Sequence, residues 1–417
     1  TEIYTLSLHD ALPIWQDWCR SARWAAKSRG RVQRHPDWLL IAIAVLERAG
    51  HQCKFLDAAA LNIEMEPTLD QIEAFSPDLL VVHTTTPSIY NDIGYIEAVK
   101  GKIACITVVV GPHVTILPEE AFDISHNTLD VVVRREYDLQ LLDLADGKNF
   151  ADILGITFRE GEKIIHNNDR PPLDVNWLPF PAWHHIQPEW YPDAGKLFPF
   201  ITLLSGRGCP NYCTFCREPQ TMEGRQLRLR DAKLVVDEIE YDLGLFPQLR
   251  EIMFETDTFV ADKNHVESIC HEILQRGLKI TWSCNTRVNM DLSMLPLMKK
   301  AGCRMLMTGF EFGHQAGLNA VKKGITLEQS KSFAEAANKL GFIIHGCFMI
   351  GAPGETKESA METIEFAKSL PLDTLQISGI CVYPGTDMFD WAKTQKFIVP
   401  SNWFEWEIGR ASCRERV

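Results

Sequence analysis

Short runs of Val, Ile and Leu alternate with longer amphipathic segments, twice over, along these 417 residues, and no other feature constrains the fold as strongly. A strand that is apolar along its whole length must be covered on both faces, which a parallel sheet layered between helices provides. From Trp38 the pattern reads as a helix (38–51), a strand (53–58), a helix near 69–75, a strand (79–84), a helix from Ile89, a strand (106–111), a short helix at Glu119 and a strand (131–134). This predicts a doubly wound, Rossmann-like α/β domain. Its first strand should precede Trp38, yet residues 15–36 are polar and basic (Arg20, Arg23, Lys27, Arg29, Arg31, Arg34). The sheet is therefore expected to lack that strand and to expose an aggregation-prone edge. The basic residues can meet a phosphate or lie on a solvated face, and the second reading is preferred. Residues 153–167 read as a hairpin turning at 160–162, and the Pro- and Trp-rich stretch 171–199 as an ordered linker.

After Phe200 the alternation restarts. Strand candidates lie near Ile201, Ile252, Ile280, Met305, Ile343 and Leu375, with helices from Asp231, Asp262, Asp291, Leu327 and Ser359, the three Asp residues serving as N-caps. Six βα units predict a partial (βα)6 TIM-like barrel with its chemistry at the carboxyl ends of the strands. The expected organisation is thus a Rossmann-like domain over 15–150, hairpin and linker over 151–199, and a barrel over 200–400. The ends stand apart. Codons can be chosen for residues 9–14 whose reverse complement encodes residues 408–412, so 1–14 and 408–417 are expected to be translated adapter-like artefacts flanking the native sequence.

With 42 Lys and Arg against 55 Asp and Glu, the formal charge of −13 gives no electrostatic grip on nucleic acid. The longest apolar run, 38–46, falls well short of the roughly 20 residues that span a bilayer. Twelve cysteines, scattered except for one tight trio, suit a reducing cytoplasm with one ligand cluster better than a disulfide framework.

That trio is Cys209, Cys213 and Cys216, in the run Ser-Gly-Arg-Gly-Cys-Pro-Asn-Tyr-Cys-Thr-Phe-Cys over 205–216. Three thiolates spaced C-x3-C-x2-C on one loop can converge on an iron–sulfur cluster and leave a fourth iron open. Structural zinc and buried core thiols are the alternatives, the first weakened because no fourth Cys or His stands at matching spacing nearby. The spacing, with Phe215 before the last Cys, closely resembles the signature of the radical S-adenosylmethionine (SAM) superfamily. Further pieces follow in the family's order. Glu255, Thr256 and Asp257 end the second strand and resemble the acidic patch that meets the methionine end of SAM; a solvated strand end is the plainer reading. Ser283, Asn285 and Arg287 alternate on the third strand and share one face, either a polar lining or plain surface. Glu311, in Gly-Phe-Glu-Phe-Gly over 309–313, resembles the fourth-strand pattern near the SAM ribose and carboxylate, although the family more often has Ser where Phe312 stands. Gly351 and Gly354 resemble the adenine-side turn, and alone would be an ordinary turn. Tyr383-Pro384-Gly385-Thr386 closes the sixth strand in the same way.

The resemblance implies a 4Fe–4S cluster that delivers one electron to SAM, giving methionine and a 5′-deoxyadenosyl radical that abstracts a substrate hydrogen. It also implies a small-molecule substrate and an external reductant of flavodoxin or ferredoxin type. A doubly wound domain upstream resembles the cobalamin-binding subclass. Its ligand-facing loops would carry Thr85, Thr86 and Ser88 after one strand and Gly111, Pro112 and His113 after the next, beyond the carboxyl ends where open α/β sheets bind ligands. The D-x-H-x-x-G motif that gives cobalt a lower axial His is absent, so His113 is not read as a cobalt ligand. Where the family tends to have Gly before Glu-Tyr-Asp, this chain has Arg135 before Glu136-Tyr137-Asp138. A Rossmann-like domain that no longer binds anything is the plainer alternative. The subclass implies methyl transfer, ring formation or rearrangement in lipid, cofactor or natural-product biosynthesis. An oxidative cyclase like the anaerobic magnesium-protoporphyrin monomethyl ester cyclase, or a sensor without turnover, are the competing readings.

Overall fold

The structure is a computed structural model that describes residues 1–7, 34–193, 195–397 and 403. The basic run from Arg20 to Arg31, and the adapter-like residues 8–14 and 408–417, lie outside the described residues. The chain forms two compact units, the first of Thr1–Pro192, Arg217–Gly224 and Tyr383–Val417, the second of Asp193–Cys216 and Arg225–Val382. No helix among the described residues is long and apolar enough to cross a membrane.

The first unit is built on a seven-stranded sheet. Its strands are β1 (Glu2–Ser7), β2 (Gln52–Asp57), β3 (Leu79–His83), β4 (Ile106–Val110), β5 (Val131–Val133), β6 (Ile156–Glu160) and β7 (Lys163–His166), in the order β2-β1-β3-β4-β5-β6-β7. Strands β1 to β5 pair in parallel, while β6 and β7 form the antiparallel hairpin read from the sequence. Helix α1 (Asp37–Arg48) buries its apolar run 39–46, and Leu80, Val82, Val109 and Val132 are fully buried in one core cluster with residues of α2 (Met65–Phe75) and α3 (Ile89–Lys100). The expectation of a missing first strand is overturned. Glu2–Ser7 occupies that slot, paired to β2 on one side and β3 on the other, with Ile3, Tyr4, Thr5, Leu6 and Ser7 buried. Its β-branched and aromatic residues suit a pleated, covered strand. The edge of the parallel part of the sheet falls at β2, not at the slot expected to be empty.

The second unit is a six-stranded sheet in the order β15-β14-β13-β12-β11-β8, parallel at every pairing. Its strands are β8 (Phe200–Leu203), β11 (Glu251–Phe254), β12 (Trp282–Arg287), β13 (Cys303–Glu311), β14 (Ile343–Ile350) and β15 (Thr374–Gly379), and a small antiparallel ribbon joins β9 (Gly206–Arg207) to β10 (Arg228–Leu229). This is the partial (βα)6 arrangement. The third strand starts at Trp282, beyond Ile280. Of the three Asp caps, Asp262 and Asp291 accept from His265 N and Ser293 N, whereas Asp231 holds the N-cap position without a capping bond. The fifth helix, α4 (Lys357–Ser369), is capped by Thr356, so it begins before Ser359.

Apolar and polar groups close the amino end of this sheet. Phe200, Met253, Met305 and Met307 form a core cluster, and the buried Lys196 brings its Nζ to the sulfurs of Met253 and Met307 at 3.0 and 2.7 Å and to Ser283 Oγ at 3.3 Å. Beside it Glu251, 2% exposed, accepts from Leu197 N at 2.7 Å, from Arg304 Nη2 at 2.6 Å and from Ser283 Oγ. Removing one partner of such a buried charge network leaves an uncompensated charge and costs about 3–5 kcal/mol. Glu251→Ala should therefore lower unfolding stability by about that amount, read as the shift in urea midpoint. A change below about 0.5 kcal/mol, the range of ordinary surface substitutions, would show that this carboxylate holds nothing together.

Candidate active site

The cysteine loop leaves the carboxyl end of β8, and its path is set by backbone approaches only glycine allows. A Cβ on Gly208, at φ +90°, would sit 2.0 Å from Gln226 O, and one on Gly206 would sit 2.6 Å from Arg228 O. The β9–β10 ribbon packs through these two gaps. Ser205 N and Oγ meet Thr256 Oγ1 at 2.8 and 3.1 Å, and Arg230 N donates to Ser205 O at 3.0 Å. Further along, Thr214 N donates to Val321 O at 3.0 Å.

On this frame Cys209 and Cys213 are buried and Cys216 half-buried, as is Phe215. Two side chains address the sulfurs: Asn211 Nδ2 donates to Cys209 Sγ and Arg287 Nη1 to Cys213 Sγ, each at 3.4 Å. Arg287 is itself pinned, with Nε on Asn289 Oδ1 at 3.3 Å and Nη2 on Lys323 O. N–H donors aimed at sulfur stabilise thiolates. Among the described residues, the three sulfurs are not gathered within the 4.8 Å that groups ligands around one ion. A zinc ion with Zn–S near 2.3 Å would draw them to roughly 4 Å. Thiolates on separate irons of one cluster need no such closeness, so the residues fit a cluster better than zinc.

The strand ends around the loop have distinct tasks. The face shared by Ser283, Asn285 and Arg287 points inward, since Ser283 reaches Met253, Glu251 and Lys196. Ser283 therefore belongs to the amino-end plug, about 13 Å along the strand from Arg287 at 3.3 Å per residue. Asn285 Nδ2 reaches Glu255 O at 3.5 Å. Thr256 is engaged in holding Ser205. Asp257 follows it in the turn after β11. Glu311 is buried with φ +65°, and its Oε1 meets Lys323 Nζ at 2.5 Å. Gly309 makes room for this pair, because a Cβ there would lie 2.3 Å from Glu311 Oε1 and 2.8 Å from Lys323 Nζ. Phe312 is fully buried and packs on His314, a core role. Gly351 and Gly354 take φ of +107° and +78°, and Glu355 ties their turn by accepting from Gly351 N while meeting His314 Nε2 at 3.2 Å.

In the first unit, the loops after β3 and β4 meet at the carboxyl edge of the sheet. Thr85 and Ser88 bond each other, Oγ1 to Oγ at 2.9 Å and Thr85 N to Ser88 Oγ at 3.1 Å. Thr86 Oγ1 meets His113 Nδ1 at 3.1 Å. Gly111, at φ +125°, is required because a Cβ would lie 2.2 Å from Thr84 O, and Pro112 opens the short helix Pro112–Ile116. His113 is 1% exposed, and burial lowers its pKa to about 4, so the ring is neutral. Among the described residues its Nε2 has no hydrogen-bond partner, the orphaned atom that a ligand with an amide group would satisfy.

Sequence reasoning missed Lys323, Asn211, His314 and Glu355. Asn211 lay inside the quoted cysteine run. Lys323 sits in a Lys-Lys-Gly run that reads as surface, and only burial reveals it.

A loop of thiolates at the carboxyl edge of a partial parallel barrel, with a doubly wound unit preceding it, defines an iron–sulfur α/β enzyme class. Residues 203–367 match the radical SAM superfamily and 29–145 the B12 binding domain. An uncharacterised methyltransferase of Pyrococcus horikoshii is 31% identical over 374 residues, covering 87% of this chain and 80% of that protein. The chain belongs to the radical SAM superfamily, in the branch with a B12 binding domain. The anaerobic magnesium-protoporphyrin IX monomethyl ester cyclase of Rubrivivax gelatinosus is 27% identical, and the match covers 85% of this chain but 65% of the cyclase, just under two thirds of its length. Among solved structures, the radical SAM methyltransferase TsrM of Kitasatospora setae shares the fold, with TM-score 0.74 at 16% identity, covering 95% of this chain and 75% of TsrM.

The Glu311–Lys323 pair can be tested for structure against function. Glu311→Leu alone should cost about 3–5 kcal/mol by stranding a buried ammonium, and Glu311→Leu with Lys323→Met should recover most of it. A double variant as unstable as the single one, by urea unfolding, would mean the two residues are not coupled.

Proposed function

We propose that this chain is a cobalamin-dependent radical SAM enzyme acting on a small molecule, with methyl transfer as its reaction. The observation that carries this is the cysteine loop with its N–H donors from Arg287 and Asn211. Cys209, Cys213 and Cys216 would hold a 4Fe–4S cluster, which when bound supplies the electron that cleaves SAM to methionine and a 5′-deoxyadenosyl radical. Arg287 offsets thiolate charge at Cys213, and Asn211 does so at Cys209. Thr256 fixes the loop's entry through Ser205. Glu255, Asp257, Asn285, Glu311, Gly351, Gly354 and Phe215 would bind and orient SAM, with Lys323 holding the Glu311 carboxylate in place. Thr85, Thr86, Ser88, Gly111, Pro112 and His113 would take cobalamin, which supplies a methyl carrier. There the neutral His113 offers its ring nitrogen to an amide.

Methyl transfer is preferred because the relative at 31% identity is named a methyltransferase. Ring formation is the second reading, supported by the relative named a cyclase. The electron would come from a flavodoxin- or ferredoxin-type donor. The reading also includes a cytoplasmic setting, supported by the scattered thiols, and no nucleic-acid partner, supported by the net charge of −13.

The test is anaerobic reconstitution with iron and sulfide, reduction in the presence of SAM, and chromatography for 5′-deoxyadenosine, with and without hydroxocobalamin. The wild type should form it and retain cobalamin through gel filtration, and Cys213→Ala should form none above background. A fully reconstituted wild type that forms none defeats the reading. A second measurement addresses Arg287. Hydrogen bonds to cluster sulfurs raise reduction potential, so Arg287→Met should lower the cluster midpoint by tens of millivolts, where about 59 mV is tenfold for one electron. Arg287→Lys should lie between. Equal potentials for all three would remove Arg287 from the role assigned to it.

A further inference from the structure

The Pro- and Trp-rich stretch after the hairpin takes no part in the site described above, yet it is held firmly against α1. Ala182 N donates to Leu40 O at 3.0 Å. Trp183 is fully buried, edge-on to His35 at 5.9 Å. Arg48 donates to Trp177 O at 2.9 Å and lays its guanidinium 3.9 Å from the centre of the Trp177 ring. With Arg48 engaged there, Glu47 in the last turn of α1 faces two imidazoles. His184 Nε2 lies 3.1 Å and His185 Nε2 2.8 Å from the same oxygen, Glu47 Oε1.

Among the described residues, this is the group of three His, Cys, Asp or Glu ligand atoms that all lie within 4.8 Å of one another. The two rings stand 4.4 Å apart, carried by the short turn Trp183–His185. Burial pushes the Glu47 carboxyl up, but the hydrogen bond from His185 and the charges of both rings outweigh it and hold the pKa below the usual value, so the carboxylate is ionised. In the hydrogen-bonded state each imidazole must carry a proton on Nε2, and both protons point at one oxygen. A single dication can replace both. Bonds of about 2.0–2.2 Å to imidazole nitrogen and carboxylate oxygen put tetrahedral ligand atoms roughly 3.3–3.5 Å apart, a small widening of the separations seen here. Two His and one Glu is a zinc ligand set that leaves a position for water. Imidazole nitrogen selects zinc-like ions over magnesium or calcium. The side chains of His184 and Glu47 are 52% and 28% exposed, so an ion can enter from solvent.

We propose that Glu47, His184 and His185 bind one divalent transition-metal ion of the zinc class, through two imidazole Nε2 atoms and one carboxylate oxygen with water completing the shell, and so clamp this stretch to α1. The test uses cluster-reconstituted protein, kept anaerobic, dialysed against buffered ZnCl2 and assayed for zinc per chain while the visible absorbance of the cluster is followed. Wild type should hold one zinc more than His185→Ala and Glu47→Gln, with at least tenfold weaker binding in both variants. His184→Gln, at the most exposed of the three positions, guards against a folding defect and should behave alike. Zinc should raise the thermal midpoint of wild type and leave the variants unmoved, because binding to the folded state alone stabilises it. MgCl2 in place of zinc should raise no midpoint. Equal zinc content in wild type and all three variants, or an equal rise of their midpoints, overturns the proposal.

Discussion

Three cysteines on one short loop would repel one another as thiolate ligands, and the second unit holds the loop in place. The solution is steric before it is electrostatic. Gly206 and Gly208 let the loop's first residues run against the backbone of Arg228 and Gln226, which locks the exit from β8 to the β9–β10 ribbon. Thr256 then fixes Ser205, and Val321 O receives Thr214 N. A loop anchored at both ends by backbone bonds needs little help from its cysteines, so the thiols remain available as ligands. Cations act only after that path is set. Arg287 reaches Cys213 from the end of β12 and is anchored by the carbonyl of Lys323, whose own ammonium holds Glu311. One guanidinium and one ammonium thus couple the cysteine loop, the third strand and the fourth strand at the carboxyl edge of the sheet. In a chain of net charge −13, that placement is local and purposeful.

The alternation of apolar strands and helices was enough to place both sheets, because a doubly covered parallel strand leaves a short Val, Ile and Leu run that its length and β-branched content separate from a buried helix such as 38–46. The hairpin and the partial barrel followed for the same reason. The first strand was misread for a different one. Residues 1–14 were set aside on the coding pattern of the two ends, so the strand-forming Ile3, Tyr4 and Leu6 were never weighed as a strand. Ser283 illustrates the limit of periodicity. Period 2 placed it on one face with Asn285 and Arg287, and the face does point inward, but the distance along the strand separates a plug residue from one that reaches the thiolates.

What the sequence left hidden were pairings between distant segments. Lys323 reads as half of an exposed basic pair until its ammonium is found beside Glu311. His113 reads as a ligand-facing loop residue, and its burial, its bond to Thr86 and its orphaned Nε2 add which atom it offers. Glu47 lies in an ordinary helix end more than a hundred residues before the two His residues it meets. In each case the residue type is common, and the partner's position carries the information.

The two ends of the second unit's sheet separate the chemical demands. At the amino end, Lys196, Glu251, Arg304 and Ser283 bond one another among Met253, Met305 and Met307. Such a network is costly to break, because Glu251 is buried and takes hydrogen bonds from Leu197, Ser283 and Arg304 that no solvent would replace. At the carboxyl edge the polar atoms are aimed at sulfur and at the turn where Glu311 takes φ +65°. Strain of this kind persists only where the surrounding structure over-determines it. A buried, hydrogen-bonded base at one end of the sheet thus stands apart from an edge whose donors face the cysteine sulfurs and whose turns hold unusual backbone conformations. This division of labour explains why a polar interior at one end of the sheet and a reactive loop at the other can belong to the same six strands.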